Sequence, residues 1–275
     1  DGIRDRSPSR GLGDVYKRQF FLLILPANLY ANHFRYGTMS WEPISDNGTH
    51  VTVRLKMENG WTANHSDWNS FTTGEFKTNY VTIYWGDGSN SGSIIDFKVL
   101  SRDNTSNDTL TQMGDYSSST WTEGVTHAFA DNATYTVYWG SSARESVENS
   151  NGSAWRNETL ITVGGSYEGN SSPVSAVPPV VQVQDNTQFS YQLVSTDTDG
   201  DSMNYRWGTL AEFFSGSGDF TEPTGMTLSS AGLVSWDVRD TVLCSGCSQN
   251  DVNDEDDLWV AVVMVEDLHD NGSVK

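Results

Sequence analysis

The sequence predicts an all-β protein of two tandem β-sandwiches, and three observations carry that expectation. Short stretches with strict two-residue alternation recur along the chain, and Gly, Asn, Asp and Ser clusters separate them. Long Leu/Ala/Glu/Lys stretches at helical spacing are absent. The 275 residues suffice for two ordinary domains, and an aromatic content of 12% gives each a core that a disordered chain would lack.

Sixteen Lys and Arg stand against 36 Asp and Glu, a net charge of −20. Such a surface repels phosphate backbones and anionic lipid, which argues against nucleic acid and against membrane docking. Residues 1–19 (DGIRDRSPSRGLGDVYKRQ) carry no hydrophobic periodicity and read as an adapter-like artefact. Residues 20–31 (FFLLILPANLYA) read as a signal peptide remnant, with Ala31 at the cleavage position and Asn32 as the mature start. The plain alternative is a buried N-terminal strand. Nine Asn-x-Ser/Thr sequons point the same way as the signal: Asn47, Asn64, Asn104, Asn107, Asn132, Asn151, Asn157, Asn170 and Asn271. Chance predicts roughly four in a chain this rich in Asn, Ser and Thr, so an extracellular glycoprotein is expected. Any membrane attachment would then come from a downstream anchor.

In residues 32–171 the alternating segments are HVTVRLKM (50–57), NYVTIYW (79–85), IIDFKVL (94–100), ATYTVYW (133–139) and ETLITV (158–163), each expected as a strand. The sequon-rich stretch 103–121 is expected as a long insertion between motifs. YWGDGS (84–89) followed by THAFADNATYTVYW (126–139) resembles the PKD type of immunoglobulin-like domain. In that pattern an aromatic strand ends in a Gly86-Asp87-Gly88 turn, and His127 precedes the next strand as a hydrogen-bonded structural residue. Gly86 and Gly88 allow positive φ there, and Asp87 can accept backbone N–H bonds. The departure is Asn132-Ala133, where the family usually has Pro-Gly.

SPVSAVPPVVQVQ (172–184) marks the boundary, and Pro178-Pro179 reads as a stiff extended linker. In residues 172–275, FSYQLVSTDTDGDSMNYRW, PTGMTLSSAGLVSW and LWVAVVMVEDLHDNG resemble the cadherin-like, immunoglobulin-like repeats of extracellular surface proteins. From Pro173 onward there are 17 acidic residues against three basic ones. The strand expected at 258–266, with its turn at 267–272, leaves only Ser273, Val274 and Lys275 for a last strand. The second sandwich is therefore expected to be truncated, with one edge of that strand open.

Asp197, Asp199 and Asp201 form DTDGD, three carboxylates in five residues with a glycine for the bend, the way a loop wraps a hard cation in oxygen. The plain alternative is a solvated hairpin turn. In an immunoglobulin-like sandwich the loops after the second and sixth strands share a pole, so Asp267 and Asp270 are expected to converge on DTDGD as a Ca2+ site. That pole should face the Gly86-Asp87-Gly88 turn of the first sandwich, so that calcium stiffens the joint. The acidic run 251–259 (DVNDEDDLW) reads as a solvated loop. Cys244 and Cys247 (CSGC) offer too few ligands for zinc, and in a secreted chain read as a small loop disulfide.

His33, His50, His65, His127 and His269 show no metalloprotease spacing, and nucleophile-elbow, phosphate-loop and dinucleotide motifs are missing. The expectation is a non-enzymatic, calcium-stiffened adhesion or structural module at the cell surface, with other surface or matrix proteins as partners. The alternative is a carbohydrate-binding module or ancillary domain of a larger enzyme. It rests on Trp61 and Trp68, which would stack on sugar rings if exposed rather than fold over the sandwich edge.

Overall fold

The computed structural model describes residues 33–177, 180–183, 187–214, 219–238 and 258–275. The adapter-like and signal segments, Pro178-Pro179, the cysteine pair and residues 251–257 of the acidic run lie outside them. β1 (Phe34–Asp46) and β2 (His50–Thr62) form a long antiparallel hairpin, in register from Phe34 opposite Trp61 to Asp46 opposite Val51. Its turn is closed by Asn47 Oδ1, which accepts the N–H groups of Thr49 and His50. Val51, Val53, Leu55 and Met57 alternate inward on β2, as the period-two pattern requires.

β3 (Phe76–Asn79), β4 (Ile95–Asp103), β5 (Asp108–Ser117), β6 (Thr120–Glu123) and β7 (Val125–Ala130) complete one seven-stranded sheet, in the order β1-β2-β5-β4-β3. β7 lies along the first half of β2 and β5 along its second half, while β6 pairs with β5. The long stretch between the motifs thus holds β5 and the start of β6. The inward face of β5 carries Thr109 and Thr111 beside Met113, so the alternation is polar and reads weakly in sequence. Thr111 Oγ1 accepts the Trp61 indole N–H at 2.8 Å, which makes a threonine acceptable in the core.

The opposing layer is β8 (Ala133–Ser141) paired with β10 (Trp155–Val163). The expected strand 79–85 joins β8 through a single bridge, Tyr84 to Tyr138, rather than a regular ladder. Its side chains still alternate, with Val81, Ile83 and Trp85 buried and Tyr80 and Tyr84 exposed. Between the layers lie Phe97, Met113, Phe129, Val137, Trp139 and Ile161. Trp61 and Trp68 are 2% and 0% exposed and belong to this core. They cannot stack on a sugar, and the carbohydrate-binding alternative loses the residues it rested on.

In the second unit, β12 (Gln188–Gln192), β17 (Leu233–Asp237) and β16 (Thr227–Leu228) form one small sheet. β14 (Ser202–Trp207) pairs with β18 (Val263–Leu268), and β11 (Val174–Ser175) with β13 (Ser195–Thr196). Trp236 and Val238 anchor its core with Phe189, Met226 and Trp259 packed against them. β18 begins and ends later than expected, so Asp267 sits within the strand and not in the turn. After the turn 269–272, Val274 bridges back to Leu268, and Lys275 N–H bonds Asp267 O at 2.9 Å, on the edge expected to be open. The chain is all-β in two tandem sandwich units; the described residues also include one α-helical turn, α1 (Leu210–Phe213), and one 3-10 turn at Gly165–Tyr167. No helix among them is long and apolar enough to cross a membrane.

The two sandwiches fall within one compact unit, and they touch along more than the expected pole. β9 (Ser150–Asn151) of the first pairs with β15 (Asp219–Phe220) of the second. Asn149, 4% exposed, donates to the carbonyls of Thr221 and Val260 and accepts from Val260 N–H, bonding like a strand across the joint. Arg144, 2% exposed, carries its guanidinium 5.3 Å from the Phe213 ring of α1.

Candidate metal-binding site

DTDGD closes on itself first. Asp197 Oδ1 accepts the N–H groups of Asp199 at 2.9 Å and Asp201 at 3.2 Å, a turn that Gly200 permits at φ +84°. The antiparallel register of β14 with β18 sets Ser202 against Leu268 and Met203 against Asp267. That register carries Asp267 to Asp201 although 66 positions separate them in sequence. One carboxylate oxygen each from Asp197, Asp201 and Asp267 lies within 4.8 Å of the others. That spread matches about twice a calcium–oxygen bond of roughly 2.4 Å.

The remaining polar groups are shared with the first sandwich. Asn170 Nδ2 donates to Asp267 Oδ2 at 2.8 Å, and Ser171 donates to Asp199 Oδ2 through its N–H at 2.6 Å and its hydroxyl at 2.9 Å. Ser172 Oγ accepts from Trp41 N–H in β1, which fixes this short segment to the first sandwich. Lys275 Nζ forms an ion pair with Asp201 and donates to Asn170 Oδ1 at 3.0 Å. Asp197 Oδ2 is buried and accepts no hydrogen bond. Burial pushes the Asp267 carboxyl up, and the Asp197 charge adds to this, while the Asn170 bond and the Lys275 ammonium oppose it. Burial alone would lower the Lys275 ammonium, but its bond to Asp201 and the nearby charges of Asp267 and Asp197 raise it.

Five aspartates were expected to gather here. The structure groups Asp197, Asp201 and Asp267, turns Asp199 to Ser171, and leaves Asp270 exposed on the turn 269–272, outside the group. The Gly86-Asp87-Gly88 turn does not supply the facing contact. Asp87 bonds within its own sandwich, accepting from Ser89 N–H at 2.8 Å and meeting His127 Nε2 at 2.7 Å. Burial would raise its carboxyl, but the bonds from Ser89 and His127 outweigh that and hold it at about 2. His127 stacks on Trp85 with centroids 4.6 Å apart, a fixed structural position. The contacts to the aspartates come from Asn170 and Ser171, which sequence reasoning passed over except as a sequon.

That sequon is one of two whose amide nitrogen is enclosed. Asn170 is 7% exposed with its amide bonded to Asp267 and Ser171, and the Asn157 amide nitrogen is buried. A glycan on either would have to displace these contacts. Asn47, Asn64, Asn104, Asn132, Asn151 and Asn271 are exposed and Asn107 is half-buried.

Residues 35–164 match the family model described as integrin beta-like protein A-E, N-terminal. Integrin beta-like protein C of Dictyostelium discoideum is 29% identical over 224 residues, a match covering 78% of this chain and 11% of that protein. Integrin beta-like protein B of the same organism is 26% identical over 231 residues, covering 81% of this chain and 11% of that protein. The chain thus spans about a tenth of the length of the curated relatives it matches. Among solved structures, the two tandem V-type regions of VCBP3, a v-region-containing chitin binding protein, match at 11% identity, covering 74% of this chain and 88% of that one with a TM-score of 0.30. The first sandwich is therefore similar in sequence to the N-terminal region of integrin beta-like proteins, and the similarity to those relatives continues into the second sandwich.

Proposed function

We propose that this chain is a non-enzymatic extracellular adhesion-type module whose two sandwiches are locked together by calcium. The carrying observation is the group Asp197, Asp201 and Asp267, tied to the first sandwich through Asn170 and containing the buried, unbonded Asp197 Oδ2. Three converging carboxylates repel one another, and a hard divalent cation relieves that with oxygen ligands alone. Lys275 supplies one compensating charge at the rim, so calcium and the Lys275 ammonium compete for Asp201. A cation held here acts on both units at once, because Asn170 and Ser171 bond the same loops. The similarity to integrin beta-like proteins supports placement at a cell surface, with other surface or matrix proteins as partners.

Calorimetric titration with Ca2+, and scattering profiles with calcium or chelator, test this reading. One bound Ca2+, a raised melting temperature and a narrower distribution of dimensions are expected. Asp267→Asn should abolish all three, and Lys275→Met should tighten binding. Unchanged melting and dimensions in millimolar calcium would sink the proposal.

A further inference from the structure

We infer that His33, His65 and Asp67 form a second metal site, selective for a divalent transition ion of the zinc class. The three residues are scattered in sequence by no recognised ligand spacing, and the fold gathers them at one end of the first sandwich. His33 is fixed by its backbone, its N–H bonding Ala143 O and its carbonyl accepting Thr62 N–H. His65 and Asp67 lie on the tight turn after β2, which is pinned by the fully buried Trp68. The imidazoles stack with centroids 4.1 Å apart. Asp67 Oδ2 stands 3.6 Å from His33 Nε2 and 3.6 Å from His65 Nδ1.

Those distances are too long for hydrogen bonds. They lie close to the edge of a tetrahedron with metal–ligand bonds of about 2.1 Å, roughly 3.4 Å. The carboxylate is also oriented from behind. Lys77 Nζ lies 3.4 Å from Asp67 Oδ1, donates to the Asp67 carbonyl at 2.7 Å and sits 4.4 Å from the centre of the Trp68 ring. That leaves Oδ2 turned to the imidazoles, as an outer-shell partner does in metal sites. His65 Nδ1 now takes only a 3.2 Å bond from Asp67 N–H, which an ion would displace while the two rings turn out of their stack. A cleft of about 390 Å³, lined in part by His33, Asp67, Tyr80 and Thr82, opens beside the group and has room for a fourth ligand.

Two imidazole nitrogens with one carboxylate suit zinc or copper, whereas the all-oxygen group at Asp197, Asp201 and Asp267 suits calcium. The two sites are therefore separable by ion. Titration of the full chain with Zn2+ in millimolar calcium should show one equivalent bound, and Co2+ in its place should give the intense visible bands of a tetrahedral centre. His65→Ala and Asp67→Asn should each weaken Zn2+ at least about tenfold. Their melting in chelator should stay near that of the parent, and Asp267→Asn should leave zinc binding intact. No zinc binding by the parent chain would overturn the inference. So would parent-like affinity in both His65→Ala and Asp67→Asn, since the metal would then sit on His50, His127 or His269. Weak six-coordinate cobalt bands would overturn it independently of how either variant folds.

Discussion

Asn170 Nδ2 meets Asp267 Oδ2 at 2.8 Å, joining the last residues of the first sandwich to the final strand of the second across 97 positions of chain. The same side chain accepts from Lys275 through Oδ1, so one amide sets both an anion and a cation of the acidic group. Asn170→Ala removes a buried, charge-assisted bond and leaves Asp267 less compensated. A loss of about 1.5–3 kcal/mol is expected, measured by denaturant unfolding in chelator. Calcium should recover part of that loss, because a bound cation restores what the amide supplied.

Glycan occupancy should follow burial. Protein from a secretory eukaryotic host, mapped peptide by peptide, should carry sugar at exposed sequons such as Asn47, Asn104 and Asn271 and none at Asn157 or Asn170. Full occupancy at Asn170 would contradict the amide bond to Asp267.

Arg144 is an inner clamp of the joint. Its guanidinium donates to the carbonyls of Glu145 and Gly152 and to Ser150 Oγ, and it reaches Phe213 of the other sandwich. Burial lowers it to about 10, still charged at neutral pH. Arg144→Met should cost about 2–4 kcal/mol, since several buried acceptors lose their donor together. Arg144→Lys should restore only part of this, because an ammonium cannot span the same fork. Faster proteolysis near β9 and β15 would accompany either change.

Much of this arrangement was legible in the residues. The alternation in β2, β4, β8 and β10 reads directly, because Val, Leu, Ile, Phe and Trp fall on every second position. β5 was hidden because threonines hold its inward positions, and a polar strand looks like a loop until Trp61 supplies a partner. The meeting of DTDGD with Asp267 was expected from loops that share a pole, but it is the register of β14 with β18 that brings Asp267 there, from within a strand. The parts played by Asn170, Ser171 and Lys275 were not expected, since each depends on how the sandwiches dock. His33 and His65 were invisible for the same kind of reason: their stacking depends on the turn that buries Trp68.

Glu222 gives the pH dependence its sign. Both carboxylate oxygens are buried without a hydrogen-bond partner, and burial raises the group from 4.5 to about 7. In the unfolded chain it titrates near the ordinary glutamate value. A folded-state value above the unfolded one means the native chain binds the proton more tightly. Its stabilising contribution is therefore complete below about pH 4.5 and is lost progressively as pH rises to about 7. Above that, the native state holds an unpaired, partly desolvated carboxylate. Glu222→Gln keeps the shape without the charge. The variant should melt within a degree or so of the parent at pH 4 and several degrees above it at pH 8, the gap opening between those limits. Melting curves across that range, in chelator so that the aspartate group does not contribute a calcium term, provide the measurement. A gap independent of pH, or one that opens toward acid, would show that Glu222 is not the group responsible.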